Sequence, residues 1–486
     1  MRAATDTARL IGAAIALLVA AWVFADPPGT GPDEPAHYVR ALGAGNGHLV
    51  GDPYVPTAAE RAAFERLARR GGTRSGDSPV TGDSLVWSAR LTRSFAVPRD
   101  LGAVPFGCGA QRPTESAACL DAQKTTRRRA VLPSNTGTYQ PFAYLLPGLA
   151  MRATGAPVAA LRVGRATGAL VAVGLLLAAL AALADRRRGT LALAGFAVAV
   201  TPMTVFCASL LNASGAEIAA AVLVTAALLR LTRDEPAPRW VWAALAVAGA
   251  LLALSRFLGP VTLVAILLAV AAARPAGRLR AAAARDRAAA LVCAAVAGLA
   301  AAGGIAWQLV VMPHPETDLN RAVDSIRPAL ANLPGVLRQA IGNFGSLDTP
   351  LPLPVVVAWA VVAVALAGAA LWLGRPRERF GLTVATALAL GLTVAIDVAE
   401  RQTDFAVQGR HVLPLLVAIP LLAGEILRGR TDDDAARGAP LAALAGAAIG
   451  VAALGQAAGW WANARRWAVG TDGPWWFPGA AEWSPP

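Results

Sequence analysis

Asp33 and Glu34 are adjacent carboxylates in PPGTGPDEPAHYVRALGAGNGHLVG, with His37 and Arg40 following close behind. The proline and glycine before Asp33 predict a turn, and Glu34 to Leu42 has helical spacing. Asp33 is then the N-cap residue, and Asp33, His37 and Arg40 fall near one face. Two chemistries fit this pattern. In the first, Asp33 only caps a helix and His37 is an interfacial side chain. In the second, a carboxylate here is a general base that takes a proton from an acceptor hydroxyl. Spacing alone does not choose between them.

Other residues of the right type are scattered along the chain. Tyr139 and Tyr144 lie in TYQPFAYLLPG, Asn212, Ser214 and Glu217 in LNASGAEIAAA, and Arg256 in LSRFLGP. Asp397 and Glu400 precede Gln408, Arg410 and His411 of QGRHVLPL. Arg256 and Arg410 stand at the ends of apolar runs, where an arginine can grip a lipid phosphate bidentately, snorkel to headgroups, or pair with an acid such as Asp404. Glu217 is one turn inside an apolar run, so it is either a functional carboxylate or the partner of a facing span. The tyrosines either line a groove or anchor the chain at an interface.

The elements that must position these residues follow from composition. Of 486 residues 56% are hydrophobic and only 15% charged, against roughly 25% charged in soluble proteins. Lys plus Arg is 44 and Asp plus Glu is 31, a formal charge of +13. The arginines gather in short clusters between apolar runs of about 16 to 26 residues, the pattern of a polytopic membrane protein rather than of a nucleic-acid binder. We expect an all-α integral membrane protein of eleven spans. They are Leu10 to Ala25, then about 157–184, 189–208, 211–231, 239–255, 257–273, 287–312, 354–373, 380–398, 410–427 and 439–462. With the N-terminus inside, the arginine clusters fall on the cytoplasmic side, and Asp33 and its companions fall outside. The apolar stretch Pro141 to Met151 is too short to cross and is expected to be an interfacial or re-entrant helix.

Residues 1–26 thus form the N-terminus and first span, and 27–156 an outer loop with structure of its own. Spans two to seven occupy 157–312, a second outer loop 313–353, spans eight to eleven 354–462, and a Trp-rich outer tail 463–486. Within the first loop, TAAERAAFERLARR (Thr57 to Arg70) predicts a helix opened by a capping box of Thr57 and Glu60. Four cysteines exclude a disulfide scaffold, although Cys108 and Cys119 share the outer loop and are placed to form one bridge. No zinc-ligand spacing, phosphate-binding GxxxxGK loop or GxSxG elbow is present, which argues against a nucleotide-driven pump and a serine hydrolase.

PDEPAH after the first span, NGHLVG, TYQPFAYLLPG, LNASGAEIAAA and QGRHVLPL occur in order from residue 27 to about 420. Together they resemble a bacterial family of polytopic membrane proteins of unknown function that is similar to the GT-C glycosyltransferases. The resemblance implies a transferase on the outer face of the cytoplasmic membrane. Its donor would be a polyprenyl-phosphate-linked sugar and its acceptor a cell-envelope glycan or lipid. It implies a base or metal ligand in the first outer loop, which maps to Asp33 with Glu34 beside it and His37 following. A divalent metal is compatible with this mechanism and not required by it. Tyr139, Tyr144, Asn212, Glu217, Arg256, Gln408, Arg410 and His411 are the substrate-binding candidates. His411 stands where the family commonly has an aromatic. The competing expectation is a non-enzymatic transporter of a lipid-linked or anionic substrate, for which Pro202 and Pro260 speak. A transporter places its ionisable groups near mid-span, whereas here they gather at span ends.

Overall fold

The structure, a computed structural model, describes residues 3–69, 74–75, 78–79, 82–104, 109–120, 128–184, 190–315, 317–430 and 435–485. Helix dominates. The chain opens with α1 (Ala3–Ala25), α2 (Glu34–Gly45), α3 (Ala58–Arg69), α4 (Gly82–Leu91) and α5 (Phe142–Met151). It continues with α6 (Pro157–Leu183), α7 (Thr190–Ala199), α8 (Pro202–Ser209), α9 (Ser214–Leu231) and α10 (Trp240–Ser255). Then come α11 (Gly259–Ala273), α12 (Ala276–Arg285), α13 (Arg287–Val310), α14 (Leu319–Ile341) and α15 (Leu353–Leu373). The last four are α16 (Pro376–Glu400), α17 (Gly409–Leu416), α18 (Ala418–Arg428) and α19 (Ala435–Val469).

Among the described residues, eight helices are long and apolar enough to cross a membrane, or ten when each sharply bent pair counts as one span. The bent pairs are α7 with α8, at 62°, and α11 with α12, at 109°. Each of the eleven expected runs carries helix, but α10 has only 16 residues, short of the ~20 that cover a bilayer core. The expectation of eleven is therefore finer than these lengths support. The loop 185–189 and the acidic run Asp432–Asp434 lie outside the described residues.

Between α1 and α6 the chain builds a small cap on one end of the bundle. Strand β1 (Asp52–Pro53) precedes a hairpin of β2 (Arg74–Ser75) and β3 (Ser78–Pro79), followed by β4 (Arg93–Ala96) and β5 (Val131–Ser134). β1, β4 and β5 form an antiparallel sheet in that order, with Phe95 opposite Leu132. Thr57 and Glu60 form the expected capping box: the Thr57 amide and hydroxyl donate to Glu60 Oε2 at 2.8 and 2.7 Å. Cys119 is disulfide-bonded; Cys108 lies outside the described residues.

α2 packs against α5 over a core of Tyr38, Leu42, Phe95, Tyr144 and Met151. Their crossing is close because it runs over glycine: a Cβ on Gly45 would sit 2.3 Å from the Gly148 carbonyl carbon, so any side chain there would drive the helices apart. This contact fixes Tyr144 of α5 beside His37 of α2.

The segment 313–353, expected to be a loop, contains the 23-residue α14 and a hairpin of β6 (Asn343–Phe344) with β7 (Thr349–Pro350). α14 is amphipathic. Leu319, Val323, Ile326 and Leu330 are exposed along one stripe, while Ala329, Val336 and Ala340 are buried. Its C-terminal end holds the start of α17: Gly409 donates its amide to Gln339 Oε1 at 3.1 Å. A Cβ on Gly409 would meet the Ala340 nitrogen at 2.2 Å.

The tail after α19 folds back on that helix, with Trp476 stacked on Trp461 at 5.3 Å and Trp475 and Trp476 exposed. At the opposite end of the bundle, buried Glu425 takes bonds from Arg233 at 2.7 and 2.9 Å and from Arg428 at 2.9 Å. Arg274 bridges Glu425 and Glu378.

Candidate functional site

The cap, α5, α9, the α10–α11 turn and α17 converge on Asp33. Its backbone is left-handed, with φ 57° and ψ 12°, and its side chain makes no cap hydrogen bond to α2. The helix-cap role is thus left to the backbone, and the carboxylate is free for other work. A non-glycine residue held at positive φ is a strained feature that the surroundings must enforce. Asp33 follows Pro32 and is held from the far side by Arg410. Asp33 Oδ2 accepts from Arg410 Nη2 at 2.9 Å. Arg410 also donates to the Pro32 carbonyl at 3.4 Å and to Gln408 Oε1 at 2.9 Å. The Arg410 side chain is 6% exposed and that of Asp33 44%, so the cation is sunk in the bundle while the carboxylate stands at its mouth.

His37 and Tyr144 form the adjoining wall. The Tyr144 hydroxyl and His37 Nδ1 share a 2.8 Å hydrogen bond, and their rings stack at 5.7 Å. Tyr139 lies 6.1 Å from the His37 ring. Arg256 covers Tyr139 at 5.5 Å and donates to Ser214 Oγ at 3.2 Å. No carboxylate pairs with Arg256 within ion-pair distance among the described residues. The Arg256 charge acts on Glu217 and Glu400, and Glu217 Oε2 has no hydrogen-bond partner. His411 stands within range of the charges of Arg256 and Arg410, and its Nδ1 is likewise without a partner.

These charges set the protonation of the two groups on the cap side. Desolvation raises the Asp33 carboxyl, but the guanidinium of Arg410, then His37 and Arg256, outweigh it, and Asp33 titrates below the ordinary carboxylate range. His37 is pushed down to about 3, chiefly by burial and further by Arg410 and Arg256, with Asp33 opposing. It is therefore neutral at pH 7, while Asp33 is ionised.

Several of the residues singled out in the sequence are engaged elsewhere. Glu34 is 1% exposed. Its oxygens take Arg165 at 2.6 and 2.7 Å and the amides of Gly29, Gly31 and Leu211 at 3.1 to 3.4 Å. Arg165 in turn donates to the carbonyls of Val23, Asp26 and Pro27. This knot ties the end of α1 to α6, and it leaves Glu34 no free lone pair facing the Asp33 site. Asn212 braces a turn, donating to the Cys207 carbonyl at 3.1 Å and accepting from Gly215 at 2.9 Å. Arg40 also turns away, to the carbonyls of Tyr139 and Leu49. Asp404 pairs with Arg321 and not with Arg410. Sequence reasoning missed Arg165, Gln140 and Gln339; the signal for the first was that Arg162 and Arg165 both stand inside the apolar run 157–183.

Among the described residues no three His, Cys, Asp or Glu side chains come together as a metal site. Asp33 is the one exposed carboxylate of the cluster, and the donor set around it is cationic, which suits an anion better than a divalent ion. On the Arg256 side of the cluster a small recess with room for about one water molecule is lined by Tyr139, Gln140, Arg256, Phe257, Gln308 and Met312.

The fold and site define a multi-pass, all-helical membrane protein with a cationic, carboxylate-bearing site where the span ends meet a folded cap. The chain belongs to the family of predicted membrane proteins known as DUF2142, a family of unknown function whose model matches residues 16–419. No curated protein and no solved structure matches it.

Proposed function

We propose that the protein is a membrane glycosyltransferase that moves a sugar from a polyprenyl-phosphate donor to a cell-envelope glycan or lipid acceptor on the outer face of the cytoplasmic membrane. One observation carries the reading: a strained, half-exposed carboxylate, Asp33, is paired with a buried arginine, Arg410, beside a second cation, Arg256, that has no carboxylate partner. In the reaction the acceptor hydroxyl gives its proton to Asp33, and its oxygen attacks the anomeric carbon from the face opposite the leaving group. The bond from that carbon to the phosphate oxygen breaks, and the electron pair leaves on the phosphate. Arg410 and Arg256 stabilise the charge that grows there. The ion pair supports this sequence. While Arg410 holds Asp33 the carboxylate is a weak base, and a lipid phosphate that draws Arg410 toward itself restores the basicity.

Asp33 fills this role better than Glu34, whose oxygens are consumed by Arg165 and three amides. His37, neutral and hydrogen-bonded to Tyr144, orients the acceptor side of the site. Tyr139, Glu217, Gln408 and His411 line it.

One observation favours transport instead, the 62° break between α7 and α8. The break is sealed, however. Thr201 caps α8 by accepting from the Thr204 amide, its hydroxyl donates to the Ala340 carbonyl at 2.8 Å, and the surrounding residues are buried. Sugar transfer by purified protein from synthetic polyprenyl-phosphate sugars, comparing wild type with Asp33→Asn and Arg410→Ala, tests the proposal. Turnover lost in Asp33→Asn while donor still binds supports it. A wild type that neither binds nor turns over any donor overturns it and leaves transport as the account.

A further inference from the structure

The faces of α14 have three different characters. Leu319, Val323, Ile326 and Leu330 recur at helical spacing and are all exposed. About a quarter turn to one side, at ~100° per residue, Asn320, Asp324, Arg327 and Arg338 form a second, polar exposed stripe. About a quarter turn to the other side, Ser325, Ala329, Val336 and Ala340 are buried against the bundle. A long apolar stripe beside a charged one is the layout of a helix that lies in the plane of a membrane surface. Its 23 residues are long enough to cross, but Arg321, Asp324, Arg327 and Arg338 make crossing costly, and α14 is not among the helices apolar enough to span.

The neighbours of the stripe indicate what covers it. α13 ends just before α14 with Leu309 and Val310 exposed, and α15, which touches α14, starts with Leu353 and Val357 exposed. Both neighbours are candidate spans, so these side chains face acyl chains where the spans meet α14, and the stripe continues that surface. In water, the same four side chains would extend an apolar patch with nothing to cover it.

The remaining edge of α14 is stapled to the segment that leads to Arg410. The Asp318 amide donates to Gln402 Oε1 at 3.2 Å, and Arg321 pairs with Asp404. Asn332 Nδ2 donates to Asp397 Oδ2 at 3.0 Å, and Gln339 Oε1 accepts from the Gly409 amide at 3.1 Å. These contacts run from one end of the helix to the other, and Arg410 follows Gly409 directly.

We propose that α14 is an interfacial helix seated in the leaflet at the cap end, with its apolar stripe among the acyl chains and Arg327 and Arg338 reaching the headgroups. This seating holds segment 397–409, and with it Arg410, at headgroup depth. The inference does not depend on the transferase reading.

The test uses full-length protein in nanodiscs of phosphatidylcholine and phosphatidylglycerol. Single cysteines are introduced as Val323→Cys, Ile326→Cys, Asp324→Cys and Ala331→Cys, and each is labelled with a nitroxide. Leu170→Cys, on the exposed side of α6, is the acyl-chain standard. Wild type, whose Cys207 and Cys293 are buried, gives the labelling background. The ratio of collisions with oxygen to collisions with a water-soluble nickel chelate should be severalfold higher at 323 and 326 than at 324 and 331. Equal ratios at all four positions overturn the seating. Labels at 323 and 326 that are shielded from both reagents and coupled between copies also overturn it, in favour of a second copy of the chain as occupant. Hydrogen exchange tests the link to Arg410. Val323→Asp and Ile326→Asp, checked for folding by size exclusion, should speed exchange of the Gly409 amide roughly tenfold, because a carboxylate expels the stripe from the acyl layer. Ala331→Asp, on the water-facing stripe, should leave that exchange unchanged. Val323→Ser makes the same comparison where aspartate prevents folding. Equal exchange in the stripe variants and Ala331→Asp overturns the link.

Discussion

Two carboxylates that are neighbours in the chain, Asp33 and Glu34, have opposite fates. Glu34 points inward, meets Arg165 in a bidentate pair, and accepts three backbone amides. Asp33 points to the mouth of the site, meets Arg410 through one oxygen, and sits on a left-handed backbone. Both are arginine pairs, yet only one is closed. A saturated, solvent-free pair holds segments in register and has nothing left for a ligand. A half-open pair keeps an oxygen in reach of solvent and a cation ready to change partner. The strongly buried Glu425 network at the opposite end of the bundle resembles Glu34 in this respect, since its oxygens are shared by three arginines. What separates a structural ion pair from a candidate site here is satisfaction, not the presence of charge.

The largest effect expected from breaking this contrast falls on Glu34. Glu34→Ala or Arg165→Met leaves an uncompensated charge or unmet amides in the protein interior, which costs about 3–5 kcal/mol. Detergent-solubilised protein should show a clearly lower unfolding temperature or fail to accumulate. If both variants are as stable as wild type, the knot between α1 and α6 is not what holds that corner together.

Asp33→Asn should do the reverse. Asparagine keeps an acceptor for Arg410, and a partly exposed pair contributes less than about 1 kcal/mol, so the unfolding temperature should hardly move. Turnover in the donor assay should fall at least ~100-fold, the usual contribution of a general base. A stability loss as large as that of Glu34→Ala would mean that Asp33 is a second structural pair.

The pH response sharpens the contrast further, because His37 belongs to the open side. Its folded value of about 3 is well below the ordinary 6.5. Below pH 6.5 the unfolded chain therefore binds a proton that the folded protein refuses. Stability is full above 6.5 and falls as pH drops from there toward 3, by up to ~1.4 kcal/mol per pH unit for this one group. Unfolding temperatures between pH 7.5 and 4.5 should show that slope in wild type and a shallower one in His37→Asn. Equal slopes would mean that the ring is not buried neutral against Tyr144.

How much of this was legible beforehand depends on the range of the interaction. Local features read well: the Thr57–Glu60 capping box, the turn before Asp33 and the helix after it each depend on residues a few positions apart. The apolar runs read well as helices, for the same reason, although their lengths do not settle how many cross. α14 was also written in the chain, in Leu319, Val323, Ile326 and Leu330, but the two prolines inside it, Pro328 and Pro334, and its length between two spans read as a loop. The short strands of the cap carry only two to four residues each, too few for a periodic signal. The site was legible only as a list of residue types. Asp33 meets Arg410 across 377 positions and Glu34 meets Arg165 across 131. Nothing in DE as a dipeptide says which acid will find the closed partner; packing of α6 against α1 and of α17 against α14 decides it.

The smallest expected effect isolates the backbone at Asp33 from its charge. Asp33→Gly and Asp33→Ala both delete the carboxylate and should both abolish turnover, so any difference in stability between them reports conformation alone. At φ 57° alanine meets the steric penalty of the left-handed region and glycine does not, a difference of ~1 kcal/mol in favour of glycine. Glycine gives back part of this through the greater freedom of its unfolded chain, so a modest net advantage in unfolding temperature is expected. An alanine variant as stable as the glycine variant would show that residue 33 relaxes once the Arg410 contact is gone. The strain would then be imposed by the ion pair itself, and a ligand that captures Arg410 would release the backbone together with the base.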